Sequence, residues 1–338
     1  MIRNVVFFAF SFVLLLACST EPEMVLVRNH GPAQGSTYNI SYVVAPGVDY
    51  RKQIDSILFE VDKSMSLWDK QSTISKLNRG EKVKPDPLFK KVFVKSKQIS
   101  RETLGAFDIS VAPLVNFWGF GTQEHGVIDS ARVDSIRAFV GFRKLVNVLD
   151  SNRLPKGMMV DMNAIAQGFT VDVIAEFLYA KGISNFMVEV GGELRTSGKT
   201  IDKRLWTIGI DKPQENLDPE NRFQVILALD SLALATSGNY RKFWVDEETG
   251  MKYVHTINPK TGYPVKTRLL SATIITDNAM EADAWATVCM VVGLEEAIRL
   301  IKENRALEAY FVYSDLDGNW EIWQSDGFAK MVADYAGL

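Results

Sequence analysis

Apolar residues recur at helical spacing in the first half of the chain. Residues 50–67 and 87–104 place apolar side chains three and four positions apart, and the second run stops at Gly105, a residue that commonly ends a helix. Residues 163–180 repeat the pattern and close with Lys181-Gly182. The spacing therefore predicts three helices before residue 183.

Alternating apolar and polar positions dominate from residue 186 onward. The predicted strands are FMVEV, WTIGI, FQVILALD, LALAT, KYVHTI, LSATIIT, EAYFVY and WEIW. Helical spacing interrupts them at residues 279–292 and 295–304, and residues 24–44 read as an extended segment with a turn near Gly31-Pro32. Early helices and late strands predict an α+β fold, with a helical N-terminal half packed on a largely antiparallel or mixed sheet.

The first eighteen residues have a pattern of their own. Arg3 precedes an apolar stretch at residues 5–16, which is too short for a comfortable membrane span and is typical of a secretory signal. The stretch ends in Leu15-Leu16-Ala17-Cys18, which resembles a bacterial lipobox. A plain signal peptide and an uncleaved anchor are the alternatives.

The lipobox divides the chain into three predicted parts. Residues 1–17 form a lipoprotein signal peptide, residues 18–24 carry the lipidated Cys18 and a short tether, and residues 25–338 form one catalytic domain. Two or more acyl chains hold a protein stably on a bilayer. We therefore expect the protein in the cell envelope, lipid-anchored on the periplasmic side of a bacterial membrane and touching that membrane through the lipid only.

Composition and charge exclude several classes of protein and of metal site. The chain has 338 residues, and its 38 Lys and Arg against 41 Asp and Glu leave a net charge of −3, which argues against a nucleic-acid binder. Two cysteines and three histidines exclude a disulfide scaffold and a thiolate zinc cluster. A divalent metal would therefore be bound by oxygen. Cys289, within the apolar run ATVCMVVG, predicts a buried and inert thiol.

Two segments carry candidate binding residues. Residues 105–121 gather Phe and Trp around Gly and Pro, with Asp108 as the only charge, so they could bind a flat ring; composition alone favours a buried aromatic cluster. Asp161 lies directly before the helix predicted at residues 163–180. The free backbone N–H groups at the start of a helix favour the binding of an anion. The alternative is that Asp161 only caps that helix.

Two further segments could act on a phosphate ester. Asp283 and Thr287 are four residues apart and share a helix face, which makes an all-oxygen corner suited to Mg²⁺. In the alternative, Asp283 faces solvent, but the surrounding run is too apolar for a solvated face. His255 precedes a loop rich in Pro and Gly and could act as a general base, although a lone strand histidine is more often structural.

These segments together resemble a known family. In chain order they are GSTY from Gly35, MSLWDKQSTISKLN from Met65, GAFD from Gly105, DMNAIAQG from Asp161, VGGELR from Val190, ATSGNY from Ala235, HTINPKTGYP from His255 and EADAWAT from Glu281. The set is similar to the bacterial FAD:protein FMN transferases, the ApbE-type lipoproteins. The resemblance covers most of the mature chain and implies an ApbE-like (T-fold-like) architecture.

The resemblance also implies an activity and a site. Such enzymes bind FAD with Mg²⁺, transfer its FMN moiety to a Thr or Ser hydroxyl of an acceptor flavoprotein, such as a membrane redox subunit, and release AMP. The implied FAD contacts are Gln34, Trp68, Ala106, Phe107, Asp108, Asp161, Gln167 and Ile257; the implied Mg²⁺ ligands are the Ala164 carbonyl, Asp283 and Thr287; and His255 would activate the acceptor hydroxyl. Gln167 stands where many relatives carry Lys, and Gln34 where Met is common.

Other functions fit the same residues. A Mg²⁺-dependent FAD pyrophosphatase would replace the acceptor hydroxyl with water and release FMN and AMP. A non-enzymatic flavin-binding lipoprotein would need the aromatic segment and Asp161 but not Asp283 or Thr287. A structural envelope lipoprotein would bind no flavin.

Overall fold

A computed structural model describes residues 23–122, 129–214, 222–239, 243–246 and 250–333 of the chain. The predicted signal peptide and Cys18 lie outside the described residues. The helices are α1 Arg51–Met65, α2 Thr73–Asn78, α3 Pro87–Glu102, α4 Ala112–Phe117, α5 Ser130–Arg137, α6 Val148–Ser151, α7 Asn163–Ala180, α8 Ala279–Val292, α9 Leu294–Glu303 and α10 Asp326–Ala329. The strands are β1 Val25–Ala33, β2 Ser36–Val44, β3 Phe186–Val190, β4 Glu193–Ser197, β5 Trp206–Asp211, β6 Phe223–Leu229, β7 Ala233–Gly238, β8 Phe243–Val245, β9 Lys252–Val254, β10 Leu269–Thr276, β11 Glu308–Ser314 and β12 Trp320–Gln324.

One large sheet organises the molecule. Eight strands run in the order β1-β2-β3-β4-β7-β10-β11-β12, and every neighbouring pair is antiparallel. The strands β5 and β6 form a separate two-stranded ribbon, as do β8 and β9. The predicted α+β class with an antiparallel sheet is confirmed.

The two faces of this sheet carry different layers, as β7 shows. Ala233 and Ala235 face the helices, whereas Leu234 between them packs with residues of the β5–β6 ribbon and of α10. Side chains alternate between the two faces of a strand, so a strand buried on both faces is apolar throughout. The helices α7 and α8 both contact β4 on the helical face, and the candidate site lies there.

The predicted turn at Gly31-Pro32 is wrong. The strand β1 continues through both residues, and the chain reverses at Gln34 and Gly35, whose φ angles are 50° and 76°. A two-residue hairpin of this kind needs positive φ at both central positions. Pro32 is tolerated because β1 is an edge strand, where a missing backbone N–H costs no ladder bond on its outer side.

The helices follow the predicted positions closely. The three early predictions correspond to α1, α3 and α7, and the two late ones to α8 and α9. The short helices α2, α4, α5, α6 and α10 were not predicted. Within the described part of the chain, no helix is long and apolar enough to cross a membrane.

Candidate functional site

The start of α7 is held by the loop that follows α3. The backbone N–H of Asp161 donates to the carbonyl of Ile109 at 2.7 Å, and the Asp161 carboxylate accepts the N–H of Asn163, also at 2.7 Å. Asp161 therefore binds the first amide of the helix, one residue ahead of Met162 at the N-cap position. This contact stabilises the start of α7, and the contact of Asp161 with FAD stays a prediction.

Asn78 fixes the residue before Asp161. Its side-chain amide donates to the carbonyl of Val160 at 2.9 Å and accepts the N–H of Val160 at 2.8 Å. The Asn78 side chain thus makes the two backbone hydrogen bonds that a neighbouring strand would otherwise make. The motif that begins at Met65 therefore contributes to the site by holding the chain in front of α7.

The triplet of Ala106, Phe107 and Asp108 is buried. Its side chains are between 2% and 7% exposed, and Phe107 belongs to the main hydrophobic core. The carboxylate of Asp108 accepts bonds from the backbone and hydroxyl of Ser110 and from the N–H of Phe142. Burial raises the pKa of Asp108, and these hydrogen bonds oppose the shift. The triplet orders this loop, and its contact with FAD stays a prediction.

The rest of the aromatic segment forms the buried cluster that composition favoured. Trp118 is 1% exposed, stacks on Tyr253 at 5.3 Å between ring centroids, and donates its indole N–H to the carbonyl of Gly262 at 2.8 Å. Ile257 is buried in the same cluster and bridges to Pro264. These contacts bind the loop after His255 to the α4 region.

His255 lies at the edge of this cluster. It follows the last residue of β9, is half-buried, and meets the ring of Phe120 edge-on with centroids 6.3 Å apart. The next residue, Thr256, donates to the side-chain carbonyl of Asn239 at 2.7 Å, just past the end of β7. The β7 strand thus links the histidine loop to α8.

An oxygen corner lies where α7 crosses α8. Asp283 is 5% exposed, and its Oδ2 accepts the backbone N–H of Gly168 at 3.0 Å. In a regular α-helix the same N–H points toward the Ala164 carbonyl, which places that carbonyl on the side of α7 that faces Asp283. Thr287, one turn after Asp283, has its hydroxyl 3.3 Å from that of Ser237 on β7. The alternative in which Asp283 faces solvent is wrong.

The close crossing depends on Gly168. A Cβ added there would lie 2.2 Å from the carbonyl oxygen of Ala279 and 2.8 Å from Cβ of Asp283. The first turn of α8 is fixed by Asp172, whose two carboxylate oxygens accept the N–H groups of Ala279 and Met280 at 3.0 and 2.9 Å. Arg195 pairs with Asp172 at 3.2 Å and connects both helices to β4.

Glu193 is a buried acid that the sequence analysis did not select. It begins β4, is 7% exposed, and its Oε2 has no hydrogen-bond partner among the described residues. Burial raises the pKa of Glu193 well above its usual range, and the negative charge of Asp283 raises it further. Burial also raises the pKa of Asp283. In the sequence, Gly-Gly-Glu has the composition of an ordinary turn. The burial of Glu193 becomes visible only in the fold, where helices distant in sequence cover it.

Of the three remaining predicted residues, Gln167 lies on α7, Gln34 contacts α7, and Trp68 lies in the loop after α1. Gln167 packs on the turn between β3 and β4, because a Cβ added at Gly191 would lie 2.2 Å from its Nε2. Gln34 donates to the hydroxyl of Thr170 at 2.8 Å. Trp68, in the loop after α1, is 67% exposed, which leaves its ring open to a stacking partner.

The donor chemistry suits a hard cation. Carboxylate, hydroxyl and carbonyl oxygens are the ligands that Mg²⁺ prefers, usually few from the protein and the rest from water or phosphate. Among the described residues, no group of three or more His, Cys, Asp or Glu side chains is placed to hold a metal ion. Ala164, Asp283 and Thr287 carry oxygens of this type, and the charge of Asp283 contributes to the raised pKa of the buried acid Glu193.

Comparisons with known proteins identify the family of this chain. The model of the ApbE family matches residues 34–311. The chain is 35% identical to a FAD:protein FMN transferase of Vibrio cholerae, covering 96% of this chain and 97% of that protein. It is 32% identical to a FAD:protein FMN transferase of Haemophilus influenzae, covering 94% of each chain.

Solved structures show the same fold. The flavin transferase ApbE from Vibrio cholerae superposes with a TM-score of 0.77 at 31% identity, covering 91% of this chain and 99% of that one. The apo flavinyl transferase ApbE of Pseudomonas stutzeri gives a TM-score of 0.79 at 28% identity, covering 91% and 97%. The resemblance drawn from the sequence is confirmed: the chain belongs to the ApbE family.

Proposed function

We propose that this protein transfers the FMN moiety of FAD to a Thr or Ser hydroxyl of an acceptor flavoprotein and releases AMP. The observation that carries the proposal is the oxygen corner of Ala164, Asp283 and Thr287, in which Asp283 is buried, in a chain that is similar over almost its whole length to FAD:protein FMN transferases. A protein that only stored flavin would not need a buried, half-paired carboxylate at this crossing.

The oxygen corner is the proposed Mg²⁺ site. Asp283, Thr287 and the Ala164 carbonyl would hold the ion, with Gly168 keeping the two helices close enough. A bound Mg²⁺ would neutralise charge on the diphosphate of FAD. Trp68 would offer its exposed ring to a flat part of the substrate, and Gln167 would donate a hydrogen bond where relatives carry Lys.

His255 is the proposed general base. Its imidazole would accept the proton of the acceptor hydroxyl while that oxygen forms a bond to the FMN phosphorus. The bond from this phosphorus to the bridging oxygen breaks, and AMP leaves with that oxygen. The Phe120 ring and the hydrogen bond from Thr256 to Asn239 would keep the histidine in place.

The test is a mass measurement with the chain from residue 19 onward, FAD, Mg²⁺ and a flavin-acceptor domain. We expect the acceptor to gain the mass of one FMN, and His255→Ala to slow this gain by about 10²- to 10⁴-fold, as for removal of a general base. His30→Ala is the matched control, because His30 is exposed on the edge strand β1. Mg²⁺-dependent AMP release without labelled acceptor would instead indicate a pyrophosphatase.

The location of the protein is part of the proposal. Lipidation of Cys18 would anchor the domain at the periplasmic surface of a bacterial membrane, where redox subunits of that membrane are within reach.

A further inference from the structure

The carboxylate of Glu193 is buried and is not fully hydrogen-bonded by the described residues. The side chain is 7% exposed, and its Oε2 has no hydrogen-bond partner in the described part of the chain. Buried polar atoms are nearly always paired, and an unpaired acid costs free energy in proportion to its burial. Glu193 takes a hydrogen bond from its own backbone N–H, which leaves one buried oxygen of its carboxylate without a partner in the described part of the chain, and such an oxygen is expected to serve a ligand.

The strand geometry shows which way this acid points. Side chains two residues apart on a strand share a face, so Glu193 lies on the same face of β4 as Arg195. Arg195 reaches Asp172 of α7, whereas Leu194 between them packs with the ribbon on the other face. Glu193 therefore points into the layer of α7 and α8, the layer that contains Asp283.

The neighbouring charges do not satisfy Glu193. Arg195 is committed to Asp172 at 3.2 Å and to Glu176 at 3.0 Å. Glu189, the other acid of this hairpin, accepts bonds from Asn39 and from the backbone of Gly192. The Asp283 carboxylate lies near enough to interact electrostatically with Glu193, and two buried like charges repel each other unless a cation lies between them.

We propose that Glu193 is the second carboxylate of the cation site, acting with Asp283 to hold the ion directly or through one bound water. The inference rests on the proposed Mg²⁺ site and adds to it a residue from the sheet. Before FAD binds, two carboxylates balance the charge of one divalent ion, whereas Asp283 alone leaves a net positive charge in a buried place.

The test uses Mn²⁺, a paramagnetic probe of oxygen sites, titrated into the chain from residue 19 onward and followed by electron paramagnetic resonance. We expect Glu193→Gln to weaken Mn²⁺ binding by about 10- to 100-fold, the loss typical for removal of a supporting carboxylate. Glu193→Asp keeps the charge and should recover part of the affinity. Glu189→Gln is the matched control, because it removes an acid four residues away that has its own partners.

A second readout separates this role from a structural one. Without metal, Glu193→Gln removes a like charge beside Asp283, so its melting temperature should equal or exceed that of the wild type. Unchanged Mn²⁺ affinity in Glu193→Gln, or weakened affinity together with a lower melting temperature, would overturn the inference. Failure of the wild type itself to bind Mn²⁺ would overturn the proposed metal site and the inference with it.

Discussion

Cys289 illustrates how burial controls the chemistry of a single side chain. It lies inside α8 with no exposed surface, and burial raises the pKa of its thiol. The thiolate is the reactive form, so both effects slow alkylation. We expect iodoacetamide to label the folded chain from residue 19 onward at least about 100-fold more slowly than the chain in denaturant, as mass spectrometry would show.

A second variant makes the result specific to this position. Ser56→Cys in a Cys289→Ala background places one thiol on the exposed face of α1. That thiol should react at similar rates in the folded and unfolded chain. Equal rates for Cys289 in the two states would contradict the buried environment described for it.

The site residues differ in how far the sequence reveals them. Asp283 and Thr287 follow from their spacing of four on an apolar helix, because both the period and the isolated charge are local features. Glu193 depends on two helices far along the chain, which bury it against the sheet. Phe107 shows the converse, since an aromatic side chain that could stack on a ligand lies instead in the core.

At the scale of elements, the crossing of α7 and α8 predicts that Gly168→Ala destabilises the protein, whereas helix propensity alone predicts stabilisation. Gly to Ala in a helix interior ordinarily stabilises by about 0.5–1 kcal/mol. In Gly168→Ala the new Cβ would meet the backbone of Ala279 at 2.2 Å and so force the helices apart. We expect the free energy of unfolding, measured in urea, to fall by about 1–3 kcal/mol.

The effect on the site distinguishes this variant from an ordinary destabilised one. Gly168→Ala should also weaken Mn²⁺ binding. The separated helices would move the Asp283 carboxylate away from the backbone N–H of residue 168, which holds that carboxylate in place. Gly182→Ala is the control: its φ of 79° makes the change unfavourable, but an added Cβ meets no atom within 4 Å. That variant should lose stability and keep its metal affinity. A Gly168→Ala protein as stable as the wild type would refute the close crossing.

The strands show where local pattern stops being informative. Alternation identified β3, β5, β6, β7 and β10 well, because each strand buries at least one face. It could not show that β4 pairs with β7 while β5 and β6 leave the sheet to form a ribbon on its far face. Strand order depends on contacts between distant segments, and all of these strands share the same period.

For the whole molecule, the sheet separates the site from the opposite face. The helices α7 and α8 and the oxygen corner lie on one face, and the β5–β6 ribbon and α10 cover the other. The first described strand, β1, is an edge strand that begins at Val25, shortly after the predicted tether. A lipid on Cys18 would therefore attach to the domain at the edge of its sheet.

Anchoring and catalysis should consequently be separable. In cells expressing the full chain, Cys18→Ser should shift the protein from the membrane fraction to the soluble periplasmic fraction, because the lipid is the proposed membrane contact. Its flavin transfer to a soluble acceptor domain should be unchanged. Cys289→Ala, which alters the other cysteine, should stay with the membrane. Retention of Cys18→Ser in the membrane fraction would show that a segment other than the lipid, such as an uncleaved leader at residues 1–17, holds the protein there.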